Sequence, residues 1–362
     1  MLEIVLLWPY NRWVTFPPLL ASSGNAVSFK RPYLYNMKAF LDSSSLLFDS
    51  PALKHRFMQD GYVYLRGLVD SATLLNLRKQ IVEICADCHW LKPDTDPVEA
   101  VAWTVPKVEG EPEYFSVYDR IQRLQDFHAL AHDPAVMTLM RGLLGATAFP
   151  HPLSIARLVF PENRDWSTPP HQDFVNNQGT PDLYACWIPL SDCPQSMGSL
   201  AILEGSHRMG LLPVEYALGA GHRQTSLPAE SESLQWVAGD FSLGDVIVFH
   251  SLTVHRALPN DSDRMRISVD YRYQAEGEDI TERCLRPHFE RQEWSEIYRG
   301  WDREDLKYYW RDKKLNKVPF DTTLGDLPDE HLATAVKLQR KFNRSREALA
   351  QKYREIGEND TA

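Results

Sequence analysis

The spacing of apolar positions changes character twice along the chain. Residues 1 to about 55 sustain no period, and the serine-rich stretch Leu41–Ser50 reads as a loop or connecting arm. From His55 onward Phe57, Tyr62, Val63, Tyr64 and Leu65 predict a strand, and Asp70 or Ser71 then stands where a helix N-cap belongs. Leu74, Leu77, Ile81 and Ile84 recur at three- and four-residue spacing, so a helix over 71–84 buries one face. Between about 150 and 275 the pattern is of short strands: Ser154–Phe160, Leu183–Leu190, Ser199–Leu203, Asp245–Phe249 and Arg266–Tyr273. Turn residues flank them, among them Pro161, Asn163, Asn176–Gly179, Gly205, Gly239–Asp240 and Pro259–Asn260. Many short strands with few intervening helices favour an antiparallel sandwich or barrel over a parallel sheet. After about 280 the character is helical again, in an aromatic and charged segment Ser295–Arg311 and in Asp329–Ile356, which has few breakers before Gly357. No repeat of 20 to 50 residues is present.

Composition narrows the class. The chain has 362 residues, 43% of them hydrophobic, enough for a sizeable core in one or two domains. Lys and Arg number 39 against 49 Asp and Glu, a formal charge of −10 that repels nucleic acid and anionic lipid. No apolar run is long enough to span a bilayer. The first twenty residues carry Glu3 before any basic residue and are broken by Pro9, Pro17 and Pro18, a poor signal peptide. Five cysteines, an odd number, make no disulfide framework. A cytoplasmic protein acting on a small molecule is expected, with no nucleic-acid or membrane partner and nothing that calls for a homo-oligomer.

Candidate chemistry gathers in three places. In Pro169-Pro170-His171-Gln172-Asp173, His171 and Asp173 lie two apart, on one face if the segment is extended, and can reach one metal ion. Taken alone, His-x-Asp is a weak signal. The run Gly244–His250, continuing to His255, is a buried strand that delivers a histidine at its far edge. In the strand opening Arg266-Ile267-Ser268, a guanidinium and a hydroxyl share a face and form a receptor for a carboxylate. Two histidines and one carboxylate suit Fe(II), leaving positions open for a bidentate co-substrate and O2. A dicarboxylate with an α-keto acid at one end fits that co-substrate, with 2-oxoglutarate the obvious candidate.

These residues, in this order, resemble the phytanoyl-CoA dioxygenase family of iron- and 2-oxoglutarate-dependent oxygenases. The resemblance covers about 55 to 275. It rests on Asp60–Gly67 with the 71–84 helix, His171-Gln172-Asp173, Trp187-Ile188-Pro189-Leu190, Gly205-Ser206-His207, and Gly244-Asp245 through His255 to Asn260 and Arg266. Two turns depart from the family pattern, at Met197-Gly198 and at Glu204. The resemblance implies a mainly β fold, a double-stranded β-helix of the jelly-roll or cupin-like kind with helical additions. It implies His171, Asp173 and His255 as iron ligands, and Arg266 with Ser268 at the distal carboxylate of 2-oxoglutarate. Gln172 and Trp187 match positions that line the co-substrate pocket. Related halogenases replace the metal carboxylate with a small residue, so a chain that keeps Asp173 is expected to hydroxylate, desaturate or cyclise.

Several residues compete for these roles. His250 rivals His255, but five residues of separation put the two on different strand faces. His207 is expected as a structural turn histidine, and His151 as pocket lining or edge filler. Arg264 is the rival of Arg266, and Arg272 is expected as a rim salt-bridge residue. Cys85-Ala-Asp-Cys88-His89 matches a haem-attachment pattern by chance, and Cys186 and Cys193 read as buried thiols. Trp301–Lys314 is expected as a helix packing aromatics on the barrel, and 329–356 as an amphipathic cover or an oligomer contact. The expected division is an arm over 1–55, the barrel with its N-terminal helices over 56–275, and a helical extension over 276–362 packing on the barrel. Hydroxylation of an uncharged or zwitterionic metabolite is the expected activity. The alternatives are the same chemistry on an acyl-CoA, a non-catalytic metabolite- or metal-binding member of the fold, and a redox-neutral metal enzyme.

Overall fold

The structure, a computed structural model, describes residues 6–7, 13–14, 37–325 and 330–359. Contacts divide the chain into two units, Met1–Met37 and Lys38–Ala362. In the first, Leu6–Leu7 pairs antiparallel with Trp13–Val14. The second unit begins at Lys38. Lys38 bridges to Val237 and Asp42 to Tyr64, and Ser50–Asp60 is a helix. Asp49 caps that helix through the Ala52 N–H, with Pro51 in its first turn. Only Leu53, Phe57 and Asp60 of it are buried, too few to write a period into the sequence.

Nine strands build two sheets: β1 (Tyr62–Leu65), β2 (Ala148–Pro150), β3 (Ile155–Val159), β4 (Tyr184–Pro189), β5 (Leu200–Leu203), β6 (Trp236–Ala238), β7 (Val246–His250), β8 (His255–Ala257) and β9 (Arg266–Ala275). The major sheet has the order β1-β7-β4-β9-β2, with β3 pairing the first half of β9. The minor sheet is β6-β5-β8. The His171 segment extends it by an antiparallel bridge to His255. From His171 onward the chain alternates between the sheets: minor, major (β4), minor (β5, β6), major (β7), minor (β8), major (β9). That alternation is a double-stranded β-helix.

Side-chain period sets the layers. On β4, β7 and β9 the residues Cys186, Ile188, Val246, Val248, Ile267, Val269, Tyr271 and Tyr273 face outward, in the core cluster shared with the helices α1 (Ser50–Asp60), α2 (Ser71–Asp87), α3 (Pro112–Ile121) and α4 (Pro134–Leu144). Tyr62, Tyr64, Trp187, Ile247 and Phe249 face inward and meet Leu200, Ile202 and Val237 of the minor sheet. The helix expected over 71–84 runs Ser71–Asp87, capped by the Asp70 carboxylate, which accepts from the Thr73 N–H at 2.9 Å.

Gly61 joins α1 to β1 at φ 80°, where a Cβ would stand 2.5 Å from His207 Nδ1 and 2.7 Å from Thr253 Oγ1. No side chain fits there. At the departing turn Met197-Gly198, Gly198 has φ 85° and Met197 is bridged to Asn260.

The C-terminal part differs from expectation. Ser295–Arg311 is not one helix: a single turn, Trp294–Ile297, ends before Gly300 at φ 84°, and one further short turn covers Glu304–Leu306. Trp294, Tyr298, Trp301 and Trp310 form one buried cluster with Phe149 of β2. Asn316–Val318 then pairs in parallel with Asp279–Thr281. The long helix expected over 329–356 spans Glu330–Asn359. Its buried Phe342 stacks on Trp166 at 4.7 Å, and Arg346 pairs with Glu111 at 3.2 Å through Nη2.

Candidate functional site

The first site residues lie on a segment with little freedom. Pro169 and Pro170 force extended backbone and offer no N–H. His171 N–H donates to the His255 carbonyl (2.9 Å), and His255 N–H donates back to His171 (3.0 Å). This reciprocal pair sets the two imidazoles side by side, with ring centroids 4.1 Å apart. Asp173 is no longer extended (φ −64°, ψ −27°); it opens the one-turn helix Phe174–Asn177, so its carboxylate is aimed by a strand-to-helix turn.

Each histidine has a fixed tautomer. His171 Nδ1 donates to the Pro169 carbonyl (2.9 Å) and His255 Nδ1 to the Thr253 carbonyl (3.0 Å), leaving both Nε2 lone pairs free. Asp173 Oδ1 lies 3.6 Å from His171 Nε2 and 3.8 Å from His255 Nε2. One ligand atom from each residue lies within 4.8 Å of the others, a donor set that could hold a metal ion. Burial, then the adjacent His171, holds the His255 imidazole down to about 3, so it is neutral. Burial raises the Asp173 carboxyl, but the Arg272 guanidinium, foremost among the groups facing it, outweighs burial, and the carboxyl is held well below the usual carboxylate range. A neutral His255 imidazole and a charged carboxylate, with His171 Nε2 beside them, suit a divalent cation.

His250, the rival ligand, is on the wrong sheet. The chain crosses from the major to the minor sheet between His250 and His255, so more than strand parity separates them. His250 accepts from the Leu252 N–H through Nδ1 and faces Asp182 with Nε2 at 3.5 Å. His207 donates to the Met58 carbonyl at 3.0 Å, as a structural turn histidine does. His151 is buried, with Nε2 donating to Gln274 at 2.7 Å.

Arg266 opens β9 and is 3% exposed. Its Nη1 donates to Ser268 Oγ at 2.5 Å, its guanidinium lies 5.6 Å from the Trp187 ring centre, and its Nε has no partner. Among the described residues it makes no ion pair, and burial lowers its pKa. Its rival Arg264 lies outside, paired with Glu99. Asn260 holds the turn that precedes both, donating to the Arg264 carbonyl at 2.7 Å and to the Val159 carbonyl at 3.1 Å.

Gln172 has its amide fully engaged, and Arg272 occupies a place other than that expected. The Gln172 amide is spent on backbone: Nε2 donates to Gly210 (2.8 Å) and Leu252 (2.7 Å), and Oε1 accepts from Leu212. It ties two loops behind the histidine pair. Arg272 is not at a rim. It is 3% exposed and donates from Nη2 to Asp173 Oδ2 at 2.8 Å. Behind it Asp270 pairs with Arg157 at 2.8 Å, and Arg157 with Glu109 at 3.2 Å. The sequence carried a signal for this row: Arg266, Ser268, Asp270, Arg272 and Gln274 alternate with Ile267, Val269, Tyr271 and Tyr273. A strand that buries both faces has no rim, so its polar face must serve the interior.

The fold is thus a β-helix that brings His171, Asp173 and His255 together as a set able to hold a metal ion, with Arg266 buried on its major sheet. The sequence profile of phytanoyl-CoA dioxygenase (PhyH) matches residues 57–268, more than half of the chain. The chain belongs to the phytanoyl-CoA dioxygenase family, whose members are Fe(II)/2-oxoglutarate-dependent oxygenases. Among curated relatives, the 1-deoxypentalenic acid 11-beta-hydroxylase of Streptomyces exfoliatus is 28% identical over 252 residues, 65% of this chain and 84% of the relative. The hydroxylase of the same name from Streptomyces arenae is 28% identical over 253 residues. Among solved structures, the epimerase SnoN in complex with Fe3+, alpha ketoglutarate and nogalamycin RO is 20% identical, with a TM-score of 0.43 over 64% of this chain and 86% of that one. The carbocyclase SnoK from nogalamycin biosynthesis, also 20% identical, has a TM-score of 0.44 over 63% of this chain and 85% of that one.

Proposed function

We propose that the protein hydroxylates an unactivated C–H bond of a small uncharged or zwitterionic metabolite. His171, Asp173 and His255 hold the iron, and Arg266 with Ser268 holds the distal carboxylate of 2-oxoglutarate. The observation that carries this reading is Arg266, a buried guanidinium without an anion, inside the same barrel as the two free Nε2 atoms and Asp173 Oδ1. A buried cation without a counter-charge is costly, and a bound carboxylate removes that cost.

When bound, iron and 2-oxoglutarate supply the oxidising chemistry: O2 and 2-oxoglutarate are consumed, succinate and CO2 leave, and one oxygen atom enters the C–H bond. The chain's own residues orient and exclude. The Pro169 and Thr253 carbonyls accept from the two Nδ1 atoms, which turns each Nε2 toward the Asp173 carboxylate. Trp187, Phe241 and Phe249 wall the interior against water, and Ser268 steers the Arg266 fork. His171, with its side chain 16% exposed, marks the side from which a substrate enters. The naming of both curated relatives as hydroxylases of a small molecule supports the reaction type.

A cytoplasmic location belongs to the same reading. The five cysteines are unpaired, and among the described residues no helix is long and apolar enough to cross a membrane. The test is succinate formation and O2 uptake with Fe(II), 2-oxoglutarate and a panel of metabolites, against His171→Ala. Product-linked succinate above that variant supports the proposal. Binding of iron and 2-oxoglutarate without any succinate above His171→Ala overturns it in favour of a non-catalytic binding protein.

A further inference from the structure

We propose that Arg272 is a positioning residue of the metal centre: it holds Asp173 Oδ2, so that the carboxylate offers a metal one oxygen and not two. The inference rests on the reading of His171, Asp173 and His255 as the metal ligands. The two oxygens of Asp173 have different surroundings. Oδ1 faces both free imidazole nitrogens at 3.6 and 3.8 Å, whereas Oδ2 accepts from Arg272 Nη2 at 2.8 Å. The side chains of Arg272 and Asp173 are 3% and 4% exposed, so water does not compete for this charge-assisted bond.

Arg272 is itself held in place. It stands at the middle of the sheet, opposite Ala185 of β4, and the His151 N–H donates to its carbonyl at 2.7 Å. Asp270 Oδ2 lies 3.9 Å from its Nη1 and is fixed by Arg157 at 2.8 Å. The alternating charges Arg157, Asp270, Arg272 and Asp173 run along one face of the interior and end on Oδ2. Without Arg272 the carboxylate, on a short side chain at a strand-to-helix turn, is free to present both oxygens.

Counting donors shows why that matters. Two imidazoles and one carboxylate oxygen fill half of an octahedral shell, and a chelating α-keto acid fills two more positions, leaving one. A second carboxylate oxygen would fill that last position and shut out a diatomic gas. Arg272 thereby keeps the site reactive without touching co-substrate or substrate.

The test uses the full chain, anaerobic, loaded with Fe(II) and 2-oxoglutarate. The visible charge-transfer band reports chelation, and nitric oxide, an electron paramagnetic resonance probe, reports the remaining position. In Arg272→Leu the band is expected to persist while nitric oxide binds about 10- to 100-fold more weakly. Arg272→Lys, which keeps a cationic donor, is expected to recover part of that loss. Nitric oxide affinity in Arg272→Leu equal to the parent's would overturn the proposal. So would loss of the band together with nitric oxide binding in both variants, since Arg272 would then merely hold the site together. A parent chain with no band at all would overturn the metal reading itself, and is distinguished from the other results by needing no variant.

Discussion

Replacing Arg266 with methionine separates a ligand-binding arginine from a structural one. The side chain is 3% exposed, has one hydrogen bond to Ser268 and an idle Nε, and makes no ion pair among the described residues. In the ligand-free protein the substitution removes a buried cation together with its desolvation cost, and one hydrogen bond worth about 1 kcal/mol. Stability is therefore expected to stay level or rise. With 2-oxoglutarate bound, the same substitution strands a buried carboxylate. Breaking a buried charged pair in this way costs about 3–5 kcal/mol, a loss of affinity of roughly 100- to 4,000-fold. Calorimetric titration of Mn(II)-loaded protein with 2-oxoglutarate measures the affinity, and urea unfolding without ligand measures the stability. As a control, 2-oxobutyrate keeps the chelating end but lacks the distal carboxylate, and should bind parent and variant alike. Unchanged 2-oxoglutarate affinity in Arg266→Met, or a ligand-free protein that loses several kcal/mol, would refute the reasoning.

Three further outcomes follow from the packing. Gly61→Ala places a Cβ 2.5 Å from His207 Nδ1 at φ 80° and should cost at least about 2 kcal/mol in urea unfolding; a neutral result would mean that the α1–β1 turn relaxes freely. Burial pushes the His128 imidazole down to about 4 while its Nε2 donates to Gln122 at 2.9 Å, so the unfolded chain binds more protons between pH 6.5 and 4. Stability should fall as pH drops through that window, by at most about 3 kcal/mol from this group, and His128→Gln should flatten the fall; an equal slope in both proteins would contradict the assignment. Phe342→Ala removes the buried anchor that stacks on Trp166, and hydrogen exchange should rise in Glu330–Asn359 while the strands stay protected; exchange rising equally in the strands would show that the helix supports the barrel.

The parts of the fold legible in the sequence are those whose pattern is local. Strands β3, β4, β5, β7 and β9 announce themselves by alternation or by apolar runs between turn residues, and the Asp70 cap marks the start of α2. Strands β6 and β8 are three residues each, too short to write a period, and are defined by pairing with β5. The helix expected over Ser295–Arg311 came from a segment rich in aromatics and charges, a composition that does not fix backbone; the helical turn Trp294–Ile297 ends before Gly300, and the rings meet around Phe149 from irregular backbone.

In the site, the closeness of His171, Asp173 and His255 was expected from the order of the motifs, and the structure brings these three together. The place of Arg272 was missed although the alternation along β9 carried its signal, because its partner Asp173 is 99 residues away in the chain. The role of Gln172 was hidden for a similar reason: its partners are backbone atoms 38 and 80 residues away.

The central claim is that His171, Asp173 and His255 bind one iron that chelates 2-oxoglutarate. It is tested most directly by anaerobic titration of Fe(II)-loaded protein with 2-oxoglutarate, followed by the visible charge-transfer band. The account predicts a saturable band in the parent and in His250→Ala, and none in His171→Ala or His255→Ala. A band that survives both ligand substitutions, or one that disappears with His250→Ala alone, would contradict it.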